Sequence, residues 1–153
     1  MAALTVNLGA LYGAKFGTIQ AYKVGAGVHI WRFATVALRN DGYLYPAIED
    51  ISDTYKQIIV GLAQEEVDNS SGIDGAKTCR ARRDGRVRRQ SSTPVVQSLI
   101  GKLACIKDDQ TVQKYTASTG LIVVGRIVEI YSSTEVYVDL TDRPLRIATS
   151  IND

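Results

Sequence analysis

The chain has 153 residues, of which 45% are hydrophobic, 22% are charged and 7% are aromatic, and its formal net charge is +2. This composition excludes an intrinsically disordered chain, a collagen-like repeat and a coiled coil, and the length suits one domain with its own core. No stretch approaches the ~18 apolar residues of a membrane span, and the amino terminus lacks the basic start of a secretory signal. We therefore expect a protein that is made and kept in a cytosol, or assembled there into something larger, and that does not bind a membrane.

The first segment, Met1–Tyr22, contains scattered glycines and alanines without a clear period. We predict that it is an extended N-terminal arm that precedes a single β domain over residues 23–153. Arms of this kind become ordered when they pack on a partner, and a mobile terminus is the alternative.

Short strands separated by turn residues dominate the remainder. Val28–Leu38 is rich in β-branched and aromatic residues and leads to Asn40-Asp41-Gly42, which is a strong hairpin signal. Tyr43–Pro46 is the predicted return strand. Ile58–Ala63 is a compact apolar run that predicts a buried strand, and Asp68–Gly72 predicts a loop.

Further along, an alternating segment at Lys77–Arg83 is followed by the two-residue turn signal Asp84-Gly85. Arg86–Arg89 is then predicted to pair back against it as the second strand of a hairpin. In this hairpin Arg80 and Arg82 share one face of the first strand, and Arg86 and Arg88 share one face of the return strand. Arg83 and Arg89 lie on the opposite faces of their strands.

Helical signals are few. Thr93-Pro94 is a suitable start for a short helix that carries apolar residues at helical spacing and ends at Gly101. An irregular linker is the alternative for the same residues. Asp50–Lys56 allows at most one further turn, so we expect no more than one or two short helices.

The second half of the chain repeats the order of the first. An alternating strand that ends in an acidic turn, a buried strand with a glycine, and a closing alternating strand each occur twice. The matched segments are 33–42 with 101–110, 58–61 with 122–125, and 76–80 with 134–138. We predict a mainly β fold, a small antiparallel barrel or sandwich built from two similar units at about 28–90 and 100–140, because closure removes exposed strand edges. The alternative is that the similarity reflects no duplication, because any all-β protein shows segments that resemble one another in this way.

Groups able to support catalysis are sparse. The single histidine, His29, lies in a predicted strand, and the paired carboxylates such as Glu65-Glu66 point to opposite faces because they are adjacent on strands. Cys79 and Cys105 have no metal-ligand spacing and are expected as free residues in strands. We predict a protein that is not an enzyme, with no catalytic residues, no metal site and no cofactor.

Residues 80–89, which we call the arginine segment, contain six arginines and one aspartate. They contribute +5 to the net charge of +2, so the other residues together carry −3. Guanidinium groups bind phosphates and acidic protein surfaces. The predicted partner-binding residues are Arg80, Arg82, Arg83, Arg86, Arg88 and Arg89.

Three roles are open for the arginine segment. Docking onto an acidic protein surface is favoured, and a solvated hairpin that protects a sheet edge is the second role. Nucleic-acid binding ranks last, because the rest of the chain is acidic and the aromatic residues nearest in sequence, Tyr55 and Tyr115, are distant.

Ten short segments, taken in order, resemble a known family. They are 33–38, 41–42, 60–61, 67–70, 75–77, 80–85, 101–102, 108–112, 124–126 and 136–138. This order is similar to that of the capsid decoration proteins (cement or head-stabilising proteins) of tailed bacteriophages, over residues 20 to 140. Arg80, Arg82, Arg83 and Gly85 match a basic strand-turn feature of that family. Arg86, Arg88 and Arg89 depart from it, because apolar or mixed residues are usual at these places.

The resemblance implies a structural virion protein that binds the outside of an expanded head and stabilises it by bridging subunits of the major capsid protein. It also implies a homotrimer that is assembled in the host cytoplasm, and it implies no catalytic residues. The alternative function is a small β-barrel module that binds nucleic acid through the predicted hairpin at 80–89.

Overall fold

The computed structural model describes residues 18–116 and 122–141. Within these residues the regular structure consists of twelve strands and one turn of 3₁₀ helix at Gln97–Leu99. The strands are β1 Ile19–Lys23, β2 Val28–Ile30, β3 Thr35–Leu38, β4 Leu44–Pro46, β5 Ile58–Ala63, β6 Val67–Asn69, β7 Thr78–Arg82, β8 Arg86–Ser91, β9 Leu103–Ile106, β10 Thr111–Lys114, β11 Val123–Ile130 and β12 Glu135–Asp139. The predicted mainly β fold is confirmed.

The strands form two five-stranded units. The first unit, residues 19–82, has the antiparallel order β1-β7-β5-β3-β4, and a small β2–β6 pair accompanies it. The second unit, residues 86–139, has the order β8-β12-β11-β9-β10 and closes into a barrel, because β10 pairs with β8 in parallel. In chain order, β1, β3, β4, β5 and β7 therefore correspond to β8, β9, β10, β11 and β12.

The two units agree in register as well as in order. The parallel pair Ser91–Val112 closes the barrel of the second unit, and the equivalent residues Val24 and Leu44 form an isolated parallel bridge in the first unit. Backbone bonds outside the strands also recur, such as Arg83 N to the Thr18 carbonyl (2.9 Å) and Leu140 N to the Gly85 carbonyl (3.0 Å). The prediction of two similar β units is confirmed.

A glycine occupies the same place in both units. Gly61 in β5 and Gly125 in β11 each lie beside a β-bulge, where the register with the neighbouring strand shifts. A Cβ atom at Gly61 would overlap the Arg82 carbonyl oxygen, and one at Gly125 would overlap the Asp139 carbonyl oxygen. On the other side of each glycine the backbone of the neighbouring strand, β7 or β12, therefore lies so close that only glycine fits.

Each unit has an apolar core. The core of the first unit includes Val24, Val36, Leu44, Cys79 and Ala81, and that of the second includes Ala104, Ile106, Val112, Val124, Ile127, Val136 and Val138. Ala37, Ala47 and Ile59 come from the first unit but pack in the core of the second. The units consequently share buried apolar surface, which favours their association.

The predicted hairpin between Lys77–Arg83 and Arg86–Arg89 is wrong. β7 lies between β1 and β5, whereas β8 lies between β12 and β10. Asp84-Gly85 is therefore the link between the two units, because each strand finds its partners within its own unit. β8 consequently belongs to the second unit, although the sequence repeat places residues up to 90 in the first half.

Two other segments differ from expectation. The predicted strand Val28–Leu38 is divided into β2 and β3, because Phe33 has a φ of +66°, which is incompatible with an extended strand. The predicted loop at Asp68–Gly72 is wrong for Asp68 and Asn69, which lie in β6. The expected helix after Pro94 is only the single 3₁₀ turn.

Of the predicted N-terminal arm, residues 19–22 lie in β1, which pairs with β7. Residues 1–17 lie outside the described residues, so the arm stays a prediction. Both cysteines are fully buried and neither is in a disulfide, with Cys79 in β7 and Cys105 in β9. Burial raises the pKa of the Cys79 thiol to about 11.

Candidate functional site

Strand alternation places most of the arginine segment at the surface. In β7, Cys79 and Ala81 point inward and Arg80 and Arg82 outward. In β8, Val87 and Arg89 are buried, whereas Arg86 and Arg88 are exposed. Arg83 is exposed in the link between the units. Five of the six predicted partner-binding residues are therefore accessible, and Arg89 is not.

Three of the exposed arginines have acidic neighbours. Arg80 pairs with Glu65 (3.3 Å), Arg82 with Asp84 (2.6 Å) and Arg88 with Glu135 (3.6 Å). The hydrogen bond that Arg82 donates lowers the pKa of the Asp84 carboxyl. Exposed pairs of this kind contribute little to stability, so a partner's carboxylates can replace them at small cost.

Arg83 and Arg86 are different, because neither forms an ion pair within residues 18–116 and 122–141. They flank Asp84-Gly85 on the chain that joins the two units. We call Arg83 and Arg86 the link arginines. Their charges are available to an anionic partner without breaking an existing pair.

Aromatic side chains also lie beside the arginine segment. The Arg88 guanidinium is 4.4 Å from the centroid of the Tyr131 ring, and Tyr131 packs edge-to-face on Tyr137 at 5.9 Å. Because β12 pairs with β8, Tyr137 lies directly opposite Arg88. The expectation that aromatic residues are distant from the arginines is wrong in space, since it considered only distance along the sequence.

Arg89 connects the two units from inside. Arg89 is 8% exposed, and its guanidinium donates to Thr35 Oγ1 (3.1 and 3.0 Å), to the Phe33 carbonyl and to the Arg88 carbonyl (3.2 Å). Burial lowers the pKa of Arg89 to about 10, although the nearby Asp109 and Asp108 oppose this shift. Arg89 therefore acts as a structural contact between β8 and the turn before β3.

A second exposed surface is apolar. The β4–β5 loop and the first residue of β5 expose Ile48, Ile51, Tyr55 and Ile58, which we call the isoleucine loop. The Asp50 carboxylate accepts hydrogen bonds from the backbone N–H of Thr54 (2.9 Å) and of Tyr55 (2.8 Å). These bonds hold the loop in one conformation. From the sequence we predict at most one turn here, at Asp50–Lys56.

Glu65 and Glu66 lie between β5 and β6 rather than on a strand, and their carboxylates have different partners. Glu65 accepts a hydrogen bond from Arg80, whereas Glu66 Oε1 and His29 Nε2 are hydrogen-bonded to each other at 2.8 Å. Within the part of the chain that the structure describes, no group of three histidine, cysteine or acidic side chains is arranged to hold a metal ion. The same residues contain no helix with the length and apolar character needed to cross a membrane.

A known protein was found to be similar to this chain in fold but not in sequence. No protein-family model and no curated protein sequence matches the chain. The fold is similar to the crystal structure of the head fiber gp8.5 N base in bacteriophage phi29, with a TM-score of 0.45 and 15% sequence identity. The likeness covers 80% of this chain and 93% of that one.

Proposed function

We propose that the protein is a structural, non-enzymatic component of a tailed-phage virion. In this proposal it binds the outer surface of the head after assembly in the host cytoplasm, and it stabilises the shell by bridging subunits of the major capsid protein. The link arginines are the observation that carries the proposal, because they are exposed and unpaired among the described residues. The sequence resemblance to decoration proteins is the reason for proposing the phage head as the binding partner.

A bridging protein needs more than one contact surface on a rigid body. The link arginines lie where the two units join, and the isoleucine loop lies on the first unit between β4 and β5. Several modest contacts that form together give a much higher avidity than any one alone. In the proposal the exposed arginines Arg80, Arg82, Arg83, Arg86 and Arg88 face acidic patches on the capsid protein.

We further propose that the protein acts as a homotrimer, with the isoleucine loop at the contact between copies. Several large apolar side chains exposed on one loop, as here, are typical of a surface that becomes buried on assembly. Light scattering on the purified protein is expected to give about three times the 16.7 kDa mass of one chain. A mass of one chain at all concentrations would contradict the trimer.

Charge reversal at the link arginines tests the capsid contact. The double variant Arg83→Glu/Arg86→Glu is expected to bind expanded heads of the encoding phage at least tenfold more weakly, because both charges would then repel an acidic surface. Co-sedimentation of labelled protein with purified heads measures the affinity. The two substitutions are not expected to disturb folding, because both side chains are exposed.

The matched control is Lys23→Glu/Lys77→Glu, which makes the same change in net charge. Lys23 ends β1 and Lys77 precedes β7, at the opposite end of these paired strands from Arg82. Binding close to wild type is expected for this variant. Equal weakening in both double variants would show a general charge effect and would contradict a contact at the link arginines.

A second candidate function is binding of single-stranded nucleic acid, which the cluster of Arg88, Tyr131 and Tyr137 favours. Basic side chains beside exposed aromatic rings bind the backbone and stack the bases. A gel shift with single-stranded DNA at low salt tests this function. Binding that falls steeply with salt and weakens in Tyr131→Ala would support it, and an absence of any shift would leave the capsid proposal as the stronger one.

A further inference from the structure

A cavity of about 430 Å³ lies between the two units. The turn that joins β2 to β3 contributes Trp31, Arg32 and Phe33 on one side. On the other side β8 contributes Arg89, and the β9–β10 turn contributes Asp109 and Gln110. The volume falls in the range of about 300–1,000 Å³ that is usual for small-molecule sites.

The second unit forms the same backbone turn without aromatic residues at the positions that correspond to those of this cavity. Trp31 and Phe33 occupy the places that Leu99 and Gly101 occupy in the second unit. The same backbone bonds form in both, since Ala34 N donates to the Trp31 carbonyl (3.1 Å) as Lys102 N donates to the Leu99 carbonyl (3.0 Å). Leu99 is 2% exposed, whereas Trp31 is 57% exposed.

The backbone conformation of Phe33 is also energetically unfavourable. Its φ is +66°, close to the +86° of its counterpart Gly101, and this region is unfavourable for a residue with a Cβ atom. The second unit uses glycine there, but the first unit keeps a phenylalanine whose side chain is 51% exposed. Backbone strain that the fold does not require is concentrated at functional sites.

The aromatic side of the cavity is held in a fixed orientation. The Trp31 indole stacks on the His29 imidazole, with 4.1 Å between ring centroids and 19° between ring planes. His29 is in turn hydrogen-bonded to Glu66 at 2.8 Å. The Arg32 guanidinium lies 4.7 Å from the centroid of the Phe33 ring. One indole face is therefore covered by His29, and the exposed part of the ring is preorganised for a ligand.

The opposite side of the cavity is polar and balanced in charge. Arg89 has five N–H groups, of which its four hydrogen bonds use four. One N–H of Nη1 consequently remains for a ligand. The Asp109 carboxyl and the Gln110 amide add acceptors and a donor. The positive charges of Arg32 and Arg89 are balanced by Asp109 and its neighbour Asp108, so a neutral ligand suits the site better than an ion.

We propose that this cavity binds a neutral sugar ring, a hexose or N-acetylhexosamine unit of a glycan. Such a ring has an apolar C–H face, which packs on the negatively polarised face of an aromatic ring such as Trp31 or Phe33. Its hydroxyl groups both donate and accept, as Arg89, Asp109 and Gln110 require. The site is separate from the link arginines, so this inference does not depend on the proposed capsid contact.

Trp31 is the only tryptophan in the chain, so tryptophan fluorescence reports directly on the cavity. The experiment is titration of the purified protein with galactose, glucose, N-acetylglucosamine and short oligomers of each, with adenosine as a stacking ligand of another class. A saturable change in fluorescence with at least one neutral sugar is expected. No saturable change with any of these sugars, or a change with adenosine alone, would overturn the proposal.

The Phe33→Gly variant separates binding from folding. It introduces the residue that the second unit uses, so its melting temperature is expected to stay level or to rise by about 2–4 °C. The affinity of Phe33→Gly for the sugar is expected to fall about tenfold. The affinity of Gln110→Ala for the sugar should also fall. The control Tyr131→Ala removes an exposed aromatic ring elsewhere and should bind as wild type does. Unchanged affinity in Phe33→Gly would contradict the proposed site.

Discussion

Alanine at Gly125 is expected to destabilise the protein by about 3 kcal/mol, because its Cβ atom would overlap the Asp139 carbonyl oxygen of the paired strand. Gly61→Ala is expected to cost about 1 kcal/mol more, since Gly61 has the same overlap with Arg82 and a φ of +134° as well. Urea denaturation measures the change in the free energy of unfolding for both variants.

Gly27→Ala is the matched control for these two variants. Gly27 has a φ of +72°, but nothing lies within 4 Å of the position of its Cβ atom. Its replacement therefore tests backbone conformation without crowding, and a loss of about 1 kcal/mol is expected. A loss for Gly125→Ala no larger than that for Gly27→Ala would contradict the close approach of the strands at the bulge.

Removal of the Arg89 side chain is the other change with a large expected effect. Arg89→Ala should destabilise the protein by about 2–4 kcal/mol, because it leaves the buried Thr35 hydroxyl and the part-buried Phe33 carbonyl without their donor. The variant also opens a space between the two units. Thermal and urea unfolding measure the loss of stability.

Arg86→Ala provides the comparison on the same strand. Arg86 is exposed and forms no ion pair within the described part of the chain, so its replacement should change the free energy of unfolding by less than about 0.5 kcal/mol. Similar losses for Arg86→Ala and Arg89→Ala would show that Arg89 does not connect the two units. This pair of variants also separates the structural arginine from those proposed to contact a partner.

Much of the fold was predictable because local signals and nonlocal pairing agree. The Asn40-Asp41-Gly42 turn joins β3 to β4, and Ile58–Ala63 has the bounds of β5. The segment match of 33–42 with 101–110 also holds residue for residue, since Ala37 and Cys105 have equivalent partners in the neighbouring strands. In these segments the turn residues and a glycine determine how the first unit aligns with the second.

The third match, 76–80 with 134–138, is wrong by one residue. In the structure Arg82 pairs with Leu62 as Asp139 pairs with Arg126, so Ala81 corresponds to Val138. An alternating strand has a period of two but no internal mark of register, and a slip of one residue exchanges its faces. Only pairing with the glycine-containing strand determines which alignment is right.

The candidate site was predictable only in part. Alternation along each strand correctly predicts that Arg80 and Arg82 share a face and that Arg89 lies apart from Arg86 and Arg88. It could not show that Asp84-Gly85 joins two units, because an Asp-Gly pair is the same local signal in a hairpin and in a link. The burial of Arg89 depends on partners at Phe33 and Thr35, more than fifty residues away.

Electron cryomicroscopy of phage heads saturated with the protein tests the proposed function most directly. The proposal predicts additional density on the outer surface of the head, at repeated positions between capsid subunits, that fits the two-unit body with the link arginines toward the shell. Heads that show no added density after incubation with excess protein, or that carry it only on the inner surface, would contradict a role in stabilising the head from outside.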